Sequence, residues 1–205
     1  LDNDFVKEFY LGINEIAQKY DIKIIGGDLV KSEKIVISIT ILGDYKNRKK
    51  SSRSNADIDY VVAVAGEFGS SAKGFLDLKE GKTDTYFAKI HKEPVLYPEI
   101  SSNIAKNVEN DYVMMDSSDG LADCLIQISN KSGVKIEIDF DLVPKKTQDF
   151  NQVLYGGEDY SLVVCLKESD FKKINGLTKI GLCRSGQGVF VDGKMIEYKG
   201  FEHFE

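Results

Sequence analysis

The stretch YVMMDSSDGLADCLIQISNKSG at residues 112–133 predicts a strand, a tight turn and a helix. The apolar run Tyr112–Met115 is typical of a buried strand, and apolar residues recur at helical spacing through Asp119–Ser132. Gly133 follows as a helix C-cap. Because ligands of α/β proteins bind where strands of the sheet end, Asp116 at the end of this strand is a candidate site residue.

The same alternation of strands and helices continues on both sides of this stretch. Strands are predicted at residues 22–25, 35–42, 60–65, 134–138, 160–166, 179–183, 188–191 and 195–198. Helices are predicted at residues 4–20, capped by Asn3 or Asp4, at 72–78, at 99–108, around 149 and at 168–174. The residues between 79 and 98 lack clear periodicity, so we expect His91 to lie in a loop. This order predicts an α/β fold with a mixed sheet, because the last strands follow each other as hairpins do.

The composition is that of a globular protein and argues against a membrane-spanning or nucleic-acid-binding one. The 205 residues carry a net charge of −6 and are 42% hydrophobic, which is ordinary for a globular protein. No apolar run reaches the ~18 residues of a membrane helix, and the acidic balance argues against nucleic acid as a partner. The three cysteines lie far apart without metal-binding spacing, so buried thiols are expected. A polar, basic segment at 44–57 indicates a linker, and we predict domains at residues 1–52 and 53–205.

Three acidic clusters stand at the ends or beginnings of predicted strands, at residues 26–28 (GGD), 116–120 (DSSDG) and 156–160 (GGEDY). In the second cluster, Asp116 and Asp119 lie beside the amides of a helix N-terminus, and Ser118 or Asp119 is expected to cap that helix. Carboxylates in such a place can hold Mg²⁺ and the phosphate that it neutralises. A purely structural cap explains the second cluster equally well, but the three clusters together favour a metal-dependent phosphate site.

The glycine-rich segment GEFGSSAKG at residues 66–74 matches neither well-known phosphate-binding template. It lacks the Lys-Ser/Thr of a Walker loop and the G-x-G-x-x-G spacing, so close packing of helix on strand explains it at least as well as ligand contact. His91 and His203 form no recognisable Ser–His–Asp or Cys–His arrangement, and His203 is expected to be a structural hydrogen-bonding residue.

Five motifs follow one another along the chain: GGD at 26–28, GEFGSSAKG at 66–74, MMDSSDGL at 114–121, GGEDY at 156–160 and GFEHF at 200–204. In this order they resemble the thiamine-monophosphate kinase family, which belongs to the aminoimidazole ribonucleotide synthetase-like superfamily. The resemblance implies the C-terminal domain of that fold plus the tail of its N-terminal domain. It also implies that the chain, which begins with Leu1, is a fragment without the family's first third and is a poor catalyst alone.

The resemblance implies ATP-dependent phosphorylation of thiamine monophosphate with Mg²⁺, by an enzyme with no assigned acid or base. The implied ATP contacts are Tyr10, Gly27, Asp28, Arg53 and Ser118. The implied metal ligands are Asp28, Asp116 and Asp119, and the implied substrate contacts are Glu158 and Phe201. It further implies a cytoplasmic protein that forms a homodimer through the N-terminal domain.

The sequence departs from the family pattern at Leu29-Val30, at residues 91–98 and at Asp123, which stands one place early. Two alternatives therefore stay open. One is another ATP-using enzyme of the superfamily, of the aminoimidazole ribonucleotide or selenophosphate synthetase type. The other is a chain that binds nucleotide without catalysis.

Overall fold

The computed structural model describes residues 2–197, and the chain divides into two compact units, Leu1–Gly43 and Asp44–Glu205. The division falls between Gly43 and Asp44, at the start of the polar segment and nine residues before the boundary predicted between residues 52 and 53. That segment is fixed to the second unit, because the Ser52 N–H donates to the Tyr112 carbonyl at 3.3 Å and the Tyr112 hydroxyl donates to the Lys49 carbonyl at 3.2 Å.

The first unit consists of helix α1 (Asn3–Lys19) followed by chain without regular secondary structure. Asp2 caps the helix by accepting the Phe5 N–H at 2.9 Å, so the expected cap at Asn3 or Asp4 is wrong. The predicted strands at 22–25 and 35–42 are also wrong, since the described chain contains no strand there. Alternating apolar residues suit a strand, but a strand also needs a hydrogen-bonded neighbour, and residues 2–197 supply none for these segments.

The second unit holds all seven strands of the described chain. Its strands are β1 (Val61–Ala65), β2 (Val113–Asp116), β3 (Lys135–Ile138), β4 (Leu162–Leu166), β5 (Thr178–Arg184), β6 (Gly188–Val191) and β7 (Lys194–Ile196). Its helices are α2 (Ser70–Lys79), α3 (Tyr86–Lys92), α4 (Pro98–Asn107), α5 (Leu121–Ser132), α6 (Phe150–Tyr155) and α7 (Glu168–Phe171), with a 3₁₀ turn at Phe140–Leu142. The predicted mixed α/β fold is confirmed.

The strands form one sheet in the order β2-β4-β1-β5-β3-β6-β7. All neighbours are antiparallel except β3 and β6, which are parallel. It follows that β1 and β2 run in the same direction and β4 runs opposite to them. The chain therefore leaves β1 and β2, and enters β4, at one edge of the sheet. We call this edge the motif edge, because the segments at 66–74, 116–120 and 156–160 all lie along it.

Helices cover both faces of the sheet. Alternate residues of β1 point to opposite sides, so Val62 and Val64 pack with α5 and α6, whereas Val61 and Ala63 pack with α4. All five residues of β1 are buried, as expected for a strand in the middle of a covered sheet. Burial of an aliphatic side chain of this size stabilises a protein by about 1.5–3 kcal/mol, so this central strand fixes the sheet that carries the motif edge.

One helix in this unit escaped sequence prediction. Helix α3 lies in the stretch without periodicity, and His91 belongs to this helix and not to a loop. It packs on α2 where Gly74 leaves room, since a Cβ atom at this position would overlap the Phe87 carbonyl. All three cysteines are buried free thiols, as expected. Among the described helices, none is both long and apolar enough to cross a bilayer.

Candidate active site

The loop between β2 and α5 carries the central acidic motif. β2 ends at Asp116, and Gly120 precedes the helix with a φ of 104°, a conformation that glycine adopts without strain. The expected cap by Ser118 or Asp119 is wrong, because no side chain accepts a hydrogen bond from the first turn of α5. The turn at Gly120 leaves both residues in the loop, where the Ser118 hydroxyl donates to Asp119 Oδ2 at 3.2 Å.

The turn before β4 packs directly on this loop. The Glu158 N–H donates to the Ser118 carbonyl at 2.8 Å. At Gly157 the two backbones approach so closely that a Cβ atom would lie 2.5 Å from the Ser118 oxygen. The second and third acidic clusters, which are about 40 residues apart in sequence, therefore form one site at the motif edge.

Three carboxylates of this site raise the pKa of the Tyr160 hydroxyl. Burial raises the pKa of the Tyr160 hydroxyl, and Glu158, whose Oε2 accepts its hydrogen bond at 3.0 Å, raises it further. The charges of Asp116 and Asp119 add to the same effect. Burial likewise raises the pKa of the Cys124 thiol, with contributions from the same two aspartates and from Asp123. Negative charge is thus concentrated at this part of the edge.

Asp123 is a residue of this site to which sequence reasoning gave no role. Burial raises its pKa, a hydrogen bond from Gln127 opposes the rise, and the neighbouring Asp119 charge adds to it. The positive charge of Arg53 acts on the pKa of Asp123 in the lowering direction. The backbone of Arg53 is held by its carbonyl, which accepts a hydrogen bond from the Ser132 hydroxyl at the end of α5 at 2.8 Å.

The Asp116 and Asp119 carboxylates suit Mg²⁺ better than a metal ion whose ligands all come from the protein. Among residues 2–197 there is no group of three or more His, Cys, Asp or Glu side chains that could hold a metal ion. Asp116 and Asp119 are both exposed, and within the same residues the Asp116 carboxylate makes no hydrogen bond or ion pair. One or two such carboxylates, completed by water and substrate phosphates, are the usual protein share of a Mg²⁺ site.

Backbone N–H groups of the glycine-rich segment after β1 donate their hydrogen bonds to a side chain of the protein itself. The buried Asp159 carboxylate accepts the N–H of Gly69 at 2.6 Å through Oδ2 and the N–H of Ser71 at 2.9 Å through Oδ1. These are amides at the start of α2, so an internal carboxylate occupies the place that a phosphate would need. His91 also contacts the start of α2, since its Nδ1 forms a hydrogen bond of 2.8 Å with the Ser71 hydroxyl.

The remaining predicted residues belong to the first unit or to the last residues of the sequence. In the first unit, the Tyr10 hydroxyl is 3.1 Å from the position that a Cβ atom would take at Gly27, so these two residues are neighbours. The Asp28 carboxylate accepts the adjacent Leu29 N–H at 2.9 Å and is exposed. Phe201 and His203 lie outside the described residues.

Comparison with known proteins identifies relatives along the full chain. Residues 1–45 match the family model of the AIR synthase related protein, N-terminal domain. A thiamine-monophosphate kinase from Aquifex aeolicus is 31% identical over 100% of this chain and 70% of its own length. The enzyme of the same name from Bacillus subtilis is 31% identical over 98% of this chain and 70% of its own length.

Solved structures agree with these relatives. The structure described as AaThiL complexed with AMPPCP and TMP has a TM-score of 0.82 and 28% identity, and it covers 100% of this chain and 70% of that one. The HypE–HypF complex has a TM-score of 0.72 at 17% identity, covering 96% of this chain and 73% of that one, and so shares the fold alone. The identity and coverage of the Aquifex and Bacillus relatives establish that this chain belongs to the thiamine-monophosphate kinase family.

Proposed function

We propose that the protein transfers the γ-phosphoryl group of ATP to thiamine monophosphate, giving thiamine diphosphate, with Mg²⁺ as the metal. The observation that carries this proposal is the hydrogen bond from the Glu158 N–H to the Ser118 carbonyl. It joins the loop with the exposed aspartates to the turn with the candidate acceptor-binding glutamate. A phosphotransferase needs these two functions within the reach of one phosphoryl group.

In this proposal Asp28, Asp116 and Asp119 are the Mg²⁺ ligands, and Tyr10, Gly27 and Ser118 contact ATP. Mg²⁺, when bound, would neutralise charge on the phosphate oxygens. Arg53 binds ATP phosphate in this proposal, and its positive charge offsets part of the negative charge of the acidic cluster. Glu158 and Phe201 bind the thiamine end of the acceptor. Because an acceptor phosphate is already anionic near neutral pH, the reaction needs no strong general base, and positioning and charge neutralisation supply the catalysis.

The charge of the site supports a divalent cation. Asp116, Asp119, Asp123 and Glu158 bring four carboxyl groups to one part of the edge, and Arg53 is the cation that acts on the Asp123 pKa. Repulsion among carboxylates is relieved when a cation binds between them, so the cluster favours the metal-bound state. The resemblance also leads us to propose a cytoplasmic homodimer.

The experiment compares Asp116→Asn with Asp111→Asn. Asp116 is the last residue of β2, whereas Asp111 precedes the other end of the strand, with its side chain 71% exposed and paired with Lys49. Thiamine diphosphate is measured by chromatography with enzyme in excess over thiamine monophosphate, so that slow turnover is detected. Asp116→Asn should lower the rate by about a hundredfold, or about 3 kcal/mol of transition-state stabilisation, and Asp111→Asn should not change it.

Two further measurements complete this test. Chelation of Mg²⁺ should abolish product formation, and restored Mg²⁺ should recover it in the wild type. Absence of thiamine diphosphate at saturating Mg²⁺ and ATP would refute the proposal. Equal loss of activity in both variants would refute the role given to Asp116.

A further inference from the structure

The turn that carries Glu158 has an unusual backbone. Glu158 and Tyr160 both have positive φ angles, 65° and 51°, on either side of Asp159. Residues other than glycine rarely adopt this conformation, so it persists where surrounding contacts impose it. Two such residues within three positions indicate that the turn is held in place by strong local contacts.

Asp159 supplies those contacts on the inner side of the turn. Asp159 is 5% exposed, and its carboxylate accepts hydrogen bonds from the N–H groups of Gly69 and Ser71, at 2.6 and 2.9 Å. Both donors belong to the start of α2, which is fixed by its packing on α3. The turn is therefore tied to a rigid element through one side chain.

Glu158 faces the other way. Its side chain is exposed, its Oε2 accepts the Tyr160 hydroxyl, and its N–H bonds to the Ser118 carbonyl of the aspartate loop. Successive residues of the turn thus point to opposite sides, one into the protein and one to the site. Loss of the inner contact would free the backbone that sets the position of the outer side chain.

We propose that Asp159 is a positioning residue for Glu158, and that its bonds to the start of α2 hold Glu158 where it binds the phosphate acceptor. The binding role of Glu158 rests on the proposed function, whereas the anchoring of the turn does not. Asp159 touches neither substrate nor metal in this proposal and acts through its neighbour.

The test uses Asp159→Asn with Asp170→Asn as its matched control. Asp170 is also buried, at 1% exposure, and its carboxylate also accepts two backbone N–H groups, from Glu109 and Asn110 at 3.2 and 3.0 Å. It follows β4, at the edge of the sheet opposite the motif edge. In both variants the amide can accept one N–H but turns its own NH₂ group toward the other donor.

Two readouts are measured on the whole chain. Hydrogen exchange followed by mass spectrometry reports the protection of residues 156–160, and steady-state kinetics reports KM and kcat for thiamine monophosphate. Asp159→Asn should raise exchange of this turn and raise KM about tenfold, equivalent to about 1.4 kcal/mol, with kcat little changed. Asp170→Asn should leave both readouts at wild-type values. If Asp159→Asn fails to fold, Asp159→Glu, which keeps the charge but displaces it by one methylene, should change both readouts in the same direction.

The outcomes separate the two proposals. Unchanged exchange at 156–160 overturns the anchoring role of Asp159. Faster exchange with an unchanged KM overturns its role in positioning Glu158. Faster exchange in a protein whose wild type neither binds nor phosphorylates thiamine monophosphate refutes the proposed function and leaves the anchoring of the turn standing.

Discussion

Raising the pH from about 4 to about 7 should destabilise the wild-type protein relative to Asp159→Asn. Burial raises the pKa of Asp159 from 3.8 to about 6, although the N–H groups of Ser71 and Gly69 act to lower it. The nearby Glu67 charge adds to the rise. The folded protein therefore keeps a proton on this carboxyl group in a pH range where the unfolded chain has released it.

The direction and size of the effect follow from this difference. Below 3.8 the group is protonated in both states and its stabilising contribution is complete. Between 3.8 and about 6 the unfolded state binds fewer protons than the folded state, so the free energy of unfolding falls as the pH rises. A shift of about two units corresponds to about 3 kcal/mol, lost once the pH exceeds the folded-state pKa. The asparagine variant has no such proton to lose.

The assay is urea denaturation of both proteins at several pH values, with extrapolation to water. The difference between wild type and variant removes the titration of all other carboxyl groups. Asp170→Asn should show the opposite pH dependence. Burial acts to raise the Asp170 pKa, but hydrogen bonds from Asn110 and Glu109 hold this pKa below its usual value. Its contribution is lost in acid and should stay constant between about pH 5 and 7. A flat or rising difference for Asp159→Asn across its window would refute the reasoning.

Two substitutions test the packing around the site. Gly157→Ala should lower the free energy of unfolding by about 1–3 kcal/mol and weaken ATP binding, because its Cβ atom would meet the Ser118 oxygen at 2.5 Å. Gly193→Ala, at a φ of 76° with open space around it, should cost stability through backbone strain and leave ATP binding unchanged. Calorimetric titration and denaturation compare the two, and equal ATP affinity in both would contradict the role of Gly157. Thr85→Ala should cost about 1 kcal/mol, because the Thr85 hydroxyl caps α3 by accepting the Ala88 N–H at 3.0 Å, and an unchanged denaturation midpoint would contradict this.

Sequence patterns predicted the second unit well because its segments meet their own hydrogen-bonding partners. The apolar run at β1 and the strand at β6 were placed within a residue, and Gly133 ends α5 with a φ of 68° as expected. The same reasoning failed at residues 35–42, where alternation is as regular but Ile35 and Ile41 are 57% and 73% exposed. Periodicity describes the side chains, whereas a strand also requires a neighbouring backbone.

Helix α3 shows the reverse case, in which the sequence pattern is weak and tertiary contacts supply the stability. Thr85 caps its first turn and also donates to Asp77 of α2 at 2.8 Å, and Gly74 lets the two helices approach. None of these contacts is visible in the periodicity of residues 86–92. The structural role of Asp159 within the GGEDY cluster is not predictable for the same reason, since the donors to its carboxylate come from a segment about 90 residues earlier in the chain.

The register of β2 on β4 determines whether the candidate site exists at all. Asp116 pairs with Leu162, and the ladder continues when the Ser117 N–H donates to the Ser161 carbonyl at 3.0 Å. This register brings the aspartate loop beside the turn at 156–160, where the Ser118–Glu158 bond forms. A slip of one residue would send the side chains of β2 to opposite faces and move Val113, which is fully buried, out of the core beside α5. The apolar core that stabilises the sheet therefore also fixes the loop with Asp116 and Asp119 beside the turn with Glu158.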